Sequence, residues 1–197
     1  MIKIHKYSDT VIIVVHEIYG INKHMSYICQ ALSEKGFDVI CPNLLYQESP
    51  YEYSQEELAY RNFKENIGFR NASDKIKSVL LNIKDNYEKV YIVGFSVGAT
   101  IAWLCSGENG LDGIVGYYGS RIRDFLEIDP FCPVMLIFPE REHSFNVDDL
   151  IFSLEEKNIE VYQFNAQHGF CDPYSQKYNE NAAHEAFSKM VGFLQKH

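Results

Sequence analysis

Residues 90 to 99 read VYIVGFSVGA, a stretch in which a strand has to become a helix within about three residues. Val90, Tyr91, Ile92 and Val93 form the short β-branched and aromatic run of a buried strand. Ala99, Ile101, Ala102, Trp103 and Leu104 open a helical pattern directly behind it. At the apex of so tight a turn, side chains two positions to either side would collide, and Gly94 and Gly98 have none there. Ser96, between them, is expected in a strained backbone conformation with its hydroxyl clear of the sheet and over a helix N-terminus. That is the physical content of the G-x-S-x-G nucleophile elbow.

The rest of the chain supplies a frame for such a turn. TVIIVV at residues 10 to 15 is continuously apolar, as a strand buried on both faces must be. A short edge strand is expected around residues 2 to 6, and FDVICP, residues 37 to 42, reads as a strand stopped by Pro42. After the elbow, residues 113 to 119, 133 to 138 and 159 to 164 read as three more strands. Helical spacing falls at residues 24 to 35, stopped by Gly36, and again at 147 to 157 and 176 to 195. Ser54 with Glu57 predicts a capping box opening a helix through Ile67, and Ser73 a second helix through Tyr87. Strands alternating with helices predict an α/β fold: a mostly parallel central sheet with helices on both faces, in one domain over residues 1–197.

Composition removes several kinds of partner. Twenty-seven Asp and Glu against eighteen Lys and Arg leave a net charge of −9, which repels nucleic acid and anionic lipid. No apolar run approaches the roughly 20 residues a membrane helix needs, and the N-terminal MIKIHKYSDT lacks the pattern of a signal peptide, so a cytoplasmic protein is expected. The five cysteines are odd in number and form no C-x-x-C pair, which predicts reduced core thiols rather than disulfides or a metal site.

In an open parallel sheet the ligand site lies beyond the carboxyl ends of the strands. The loops there carry HEIYG (16 to 20), Ser96, SRIRD (120 to 124), PEREH (139 to 143) and NAQHGF (165 to 170). A serine hydroxyl needs a neighbouring base, and His168, late in the chain with Gly169 beside it, is the preferred one. The other histidines fit less well: His184 is mid-helix, His5 and His197 are near the ends, His24 is at a helix start, and His16 and His143 lie elsewhere on the rim. The order serine, acid, histidine places the acid past the strand ending at Phe138, with Glu142 first and Glu140 and Asp148 behind it. An oxyanion needs two backbone N–H donors, which Val97 and Ile18 can offer. Tyr19, Tyr60, Tyr118 and Arg121 are candidates for contact with substrate, with Tyr117 and Arg123 nearby.

With these residues assembled, the chain resembles the dienelactone hydrolase family of α/β-hydrolases over nearly its whole length. HEIYGINKHM is similar to that family's glutamate-bearing first loop, VGFSVGA to its elbow, GYYG to its next strand, FPEREH to its acid loop, and QHGF to its histidine loop. The resemblance implies an α/β-hydrolase fold, with Ser96 as nucleophile, His168 as base, Glu142 as acid and Glu17 as a contact of the resting nucleophile. Three departures stand out: serine replaces the family's usual elbow cysteine, Pro139 the usual glycine of the acid loop, and Glu142 the usual aspartate. Where the type members hold the dienelactone carboxylate with two arginines, this chain is expected to have Glu56 and Asp172, so dienelactone is not the expected substrate.

The reading is a serine hydrolase without a cap domain, with a Ser-His-Glu triad, needing no metal or organic cofactor and acting on a small ester or thioester as a monomer or homodimer. Its rivals are an amide or peptide hydrolase and a catalytically silent binding member of the same fold.

Overall fold

A computed structural model describes residues 1–157 and 159–197. Seven strands, β1 (Ile2–Ile4), β2 (Thr10–Val15), β3 (Asp38–Cys41), β4 (Lys89–Phe95), β5 (Gly113–Tyr117), β6 (Val134–Arg141) and β7 (Glu160–Gln167), form one sheet in the order β1-β3-β2-β4-β5-β6-β7. All neighbours are parallel except β1, which runs antiparallel to β3 at the edge.

Side-chain alternation explains why both faces are covered. In β2, Val11, Ile13 and Val15 point to one face and Ile12 and Val14 to the other, and all five are fully buried. The first face is packed by α2 (Glu56–Asn62), α3 (Phe69–Ile83), α4 (Val97–Cys105) and α5 (Val147–Leu154). The second is packed by α1 (Lys23–Glu34) and α6 (Glu180–Lys196), through Met25, Ile28 and Leu32 of one and Ala186, Met190 and Phe193 of the other. Side-chain oxygens of Asn22 and Asn179 cap α1 and α6 by accepting the N–H groups of Met25 and Ala182.

Boundaries are where the sequence reading needs correction. The expected helix from Ser54 is a 3-10 turn at Tyr53–Gln55, then α2, then a π turn at Phe63–Ile67. Its capping box is Glu52 with Gln55, not Ser54 with Glu57. The next helix begins at Phe69, because Gly68 at φ +69° ends one helical run and permits another at once. Ser73 lies inside it, its hydroxyl donating to the carbonyl of Arg70. α6 starts at Glu180 rather than near 176, and β6 runs on to Arg141 through an irregularity in its pairing with β7 at Pro139 and Arg141. All five cysteines are free and buried, and burial pushes the Cys105 and Cys132 thiols up to about 12 and about 11.

Among the described residues no helix is long and apolar enough to cross a membrane. Among the described residues no inserted cap stands over the carboxyl ends of the strands: β6 is followed directly by a short loop to α5.

Candidate active site

Ser96 joins β4 to α4 and holds φ +54°, ψ −115°, a left-handed conformation that glycine alone adopts without strain. Its neighbours show why the motif needs two glycines. A methyl group on Gly94 would lie 2.1 Å from the Gly98 carbonyl oxygen, and one on Gly98 would lie 2.2 Å from that of Val15. The elbow is fastened to the sheet by the Ser96 N–H, which donates to the Tyr117 carbonyl at 2.9 Å. The side chain therefore projects above the strand ends at the start of α4, where the helix dipole favours negative charge.

Two further loops bring partners to it. His168 follows β7, and its Nε2 lies 3.0 Å from Ser96 Oγ. Glu142 follows β6, and its Oε1 lies 2.6 Å from His168 Nδ1, with the glutamate side chain only 6% exposed. Of the three acids considered, the structure brings Glu142 to the histidine; the side chain of Asp148 instead accepts from Gln163. A buried acceptor on Nδ1 fixes the tautomer with the proton on that nitrogen and leaves Nε2 free to accept from the serine.

The first loop is held by a histidine treated above as marginal. His16 is buried; its Nε2 accepts from the Leu44 N–H at 2.9 Å, so Nδ1 carries the proton and donates to the Glu17 carbonyl at 2.6 Å. Burial brings the His16 pKa down to about 4, which keeps it in this neutral form. The loop so fixed places Ile18 beside Val97 in the wall of one pocket with Ser96.

That pocket has a volume of about 320 Å³ and is open to solvent above. Tyr19, Tyr60 and Arg121 line it, with Arg121 donating to the Tyr60 hydroxyl and to Asp124 at 3.2 Å each. Arg123 turns away and lies over the Phe145 ring. Tyr118, however, is a correction: it is fully buried and cannot meet a substrate. Its ring packs 4.8 Å from that of His168, and its hydroxyl donates to Glu17 at 3.2 Å, so it braces the site from beneath.

Glu17, which the family resemblance implies as a contact of the resting nucleophile, lines the pocket with Ser96 but forms no hydrogen bond to it. Its hydrogen bond goes to Tyr118 and its other oxygen faces His24, rather than the serine hydroxyl, which is engaged by His168. Burial pushes the Glu17 carboxyl up, but His24, His168 and the Tyr118 hydroxyl outweigh it and hold the group below its ordinary value. Asp172 is buried alongside and accepts a hydrogen bond from Tyr53. Sequence reading missed His24 and Tyr53. The signal for His24 was available, since it lies four and eight residues before Ile28 and Leu32 on the buried stripe of α1.

A mostly parallel sheet with a serine elbow at its centre, and an acid and a histidine just past its last two strands, has the architecture of an α/β-hydrolase. The sequence model of the dienelactone hydrolase family matches residues 3–197, and the chain belongs to that family of hydrolases. It is 43% identical over 171 residues to YczH of Bacillus subtilis (strain 168), an uncharacterized protein, covering 85% of this chain and 84% of that one. It is 22% identical to carboxymethylenebutenolidase 1 of Cupriavidus pinatubonensis, covering 95% and 86%. Among solved structures, the esterase PF2001 of Pyrococcus furiosus superposes with a TM-score of 0.74 at 17% identity, covering 98% and 84% of the two chains and attesting the shared fold.

Proposed function

We propose that this protein is a serine hydrolase that cleaves small carboxylic esters or thioesters through an acyl-enzyme on Ser96. The observation that carries the reading is the continuous relay from Ser96 Oγ to His168 Nε2 and from His168 Nδ1 to Glu142. As the Ser96 oxygen attacks the substrate carbonyl carbon, its proton passes to His168, and the imidazolium formed is stabilised by Glu142. The oxyanion accepts from the N–H groups of Val97 and Ile18. When the tetrahedral species collapses, the carbonyl re-forms, the bond to the leaving alkoxide or thiolate breaks, and His168 returns the proton to that group. Water then repeats the sequence on the acyl-serine and frees the acid.

The pocket carries Glu17, Glu56, Glu142 and Asp172 against Arg121 and Lys177. That excess of acid favours neutral acyl groups over anionic ones, and dienelactone, a carboxylate, is a poor substrate on this reading. Its openness suits small or flexible substrates that need no lid.

A fluorophosphonate probe followed by mass spectrometry tests the proposal. Labelling is expected at Ser96 and is expected to vanish in His168→Ala, with hydrolysis of a neutral short-chain ester falling by about 10⁴-fold or more in the same variant. Absence of labelling between roughly pH 6 and 9 means a silent member of the fold. Faster turnover of amides than of esters, or of dienelactone than of neutral esters, overturns the substrate assignment.

A further inference from the structure

At the floor of the pocket three buried titratable side chains meet. Glu17 comes from the loop after β2, His24 from the first turn of α1 and Asp172 from the loop after β7, and all three are buried, His24 completely. His24 Nδ1 stands 3.9 Å from Glu17 Oε2 and 3.9 Å from Asp172 Oδ2. It makes no hydrogen bond to either, and neither of its ring nitrogens has a partner among the described residues.

That arrangement is unfavourable as it stands. A protonated Nδ1 would close to about 2.9 Å on one of the two oxygens, because a charge-assisted bond gains most at that distance. An unprotonated Nδ1 would aim its lone pair at two anions held in a medium that screens them poorly. A cation between the three groups removes the conflict. With separations of 3.9, 3.9 and at most 4.8 Å, the point equidistant from the three donor atoms lies no more than about 2.5 Å from each, within a few tenths of an ångström of metal–nitrogen and metal–oxygen bonds.

We propose that Glu17, His24 and Asp172 form a binding site for a divalent first-row cation of the zinc or manganese type. One imidazole and two carboxylates are a mixed nitrogen and oxygen donor set suited to such ions. The supporting shell is present: Tyr118 donates to the other oxygen of Glu17, Tyr53 donates to Asp172, and the second Asp172 oxygen accepts the Tyr174 N–H at 2.8 Å. Glu17 and Asp172 also line the pocket, so a remaining coordination position can open toward it. Such an ion ties the loop that presents Ile18 to the loop that presents His168. The site rests on the geometry of these three groups and stands whether or not Ser96 is a nucleophile.

Full-length protein is stripped with a chelator, and Zn²⁺ and Mn²⁺ are titrated in separately by calorimetry, with metal content measured after gel filtration. One equivalent per chain is expected, with affinity reduced at least about 100-fold in His24→Phe and in Asp172→Asn, and unchanged in the surface control His5→Ala. Crystals grown with Mn²⁺ are expected to show an anomalous peak between the three side chains, a readout that needs no variant to fold. No stoichiometric binding, binding that survives both substitutions, or a peak only elsewhere overturns the proposal.

Discussion

The backbone at Ser96 is held in a region where a side chain costs energy, φ +54° with ψ −115°. A glycine there relieves the strain, whereas alanine does not, and both remove the hydroxyl and its bond to His168. Ser96→Gly is therefore expected to be more stable than Ser96→Ala by roughly 1 kcal/mol, the typical size of such strain less the entropy glycine restores to the unfolded chain. Chemical denaturation checks this as a higher midpoint at unchanged slope; equal midpoints mean the conformation stores no strain. At this scale the sequence was informative where chain order constrains chemistry. Ser96, Glu142 and His168 come along the chain in the order expected of nucleophile, acid and base on this fold, each just past a recognisable strand. Tyr118 was misjudged because it directly follows β5, and position just past a strand end does not reveal that its ring turns down into the core beside Tyr117. His24 was passed over although its spacing from Ile28 and Leu32 puts it on the buried stripe of α1, because it was weighed only as a base for the serine.

Strand β4 and helix α4 depend on each other through absent atoms. The gap that Gly98 leaves is filled by the Val15 and His16 carbonyls of the neighbouring β2 loop, and that of Gly94 by the Gly98 backbone. Neither obstacle is the free end of a side chain that could swing aside. Gly98→Ala is accordingly expected to lower stability by at least about 2–3 kcal/mol and to abolish probe labelling even in the fraction that folds. Thermal melts with labelling of the surviving native protein check both parts; a variant of wild-type stability and reactivity contradicts this account of the elbow. The strands were legible from their β-branched runs because burial on both faces leaves a continuous apolar signal. Helix limits in the segment from residue 52 to 87 were not, since two glutamate and glutamine side chains offer equivalent caps and a glycine with positive φ restarts the helix without a loop.

For the whole molecule, the edge of the sheet is secured by a single carboxylate. Asp38 accepts from the Lys6 and Ser8 N–H groups, His5 and Tyr87, tying the N-terminal segment and the turn between α3 and β4 to β3. Burial alone would raise its pKa, but these donors outweigh it and bring the group down from 3.8 to about 2. Because the folded value is the lower one, the stabilisation is complete above about pH 4 and is lost as pH falls through about 2. The loss is on the order of 2 kcal/mol, and in Asp38→Asn the part of the acid slope due to this group is expected to disappear from denaturation curves measured at each pH. An unchanged slope contradicts the assignment. The parallel order of the strands followed from their alternation with helices; this clamp did not, because its partners lie in three separate stretches of chain.

The sulfur chemistry of the molecule follows from the same core. Each thiol is enclosed, and four of the five are shifted away from the thiolate, the form that electrophiles and peroxides attack. Iodoacetamide or mild oxidant should thus leave the folded chain untouched, so its cysteines become visible to such reagents only as it unfolds and can serve as an intrinsic reporter of opening.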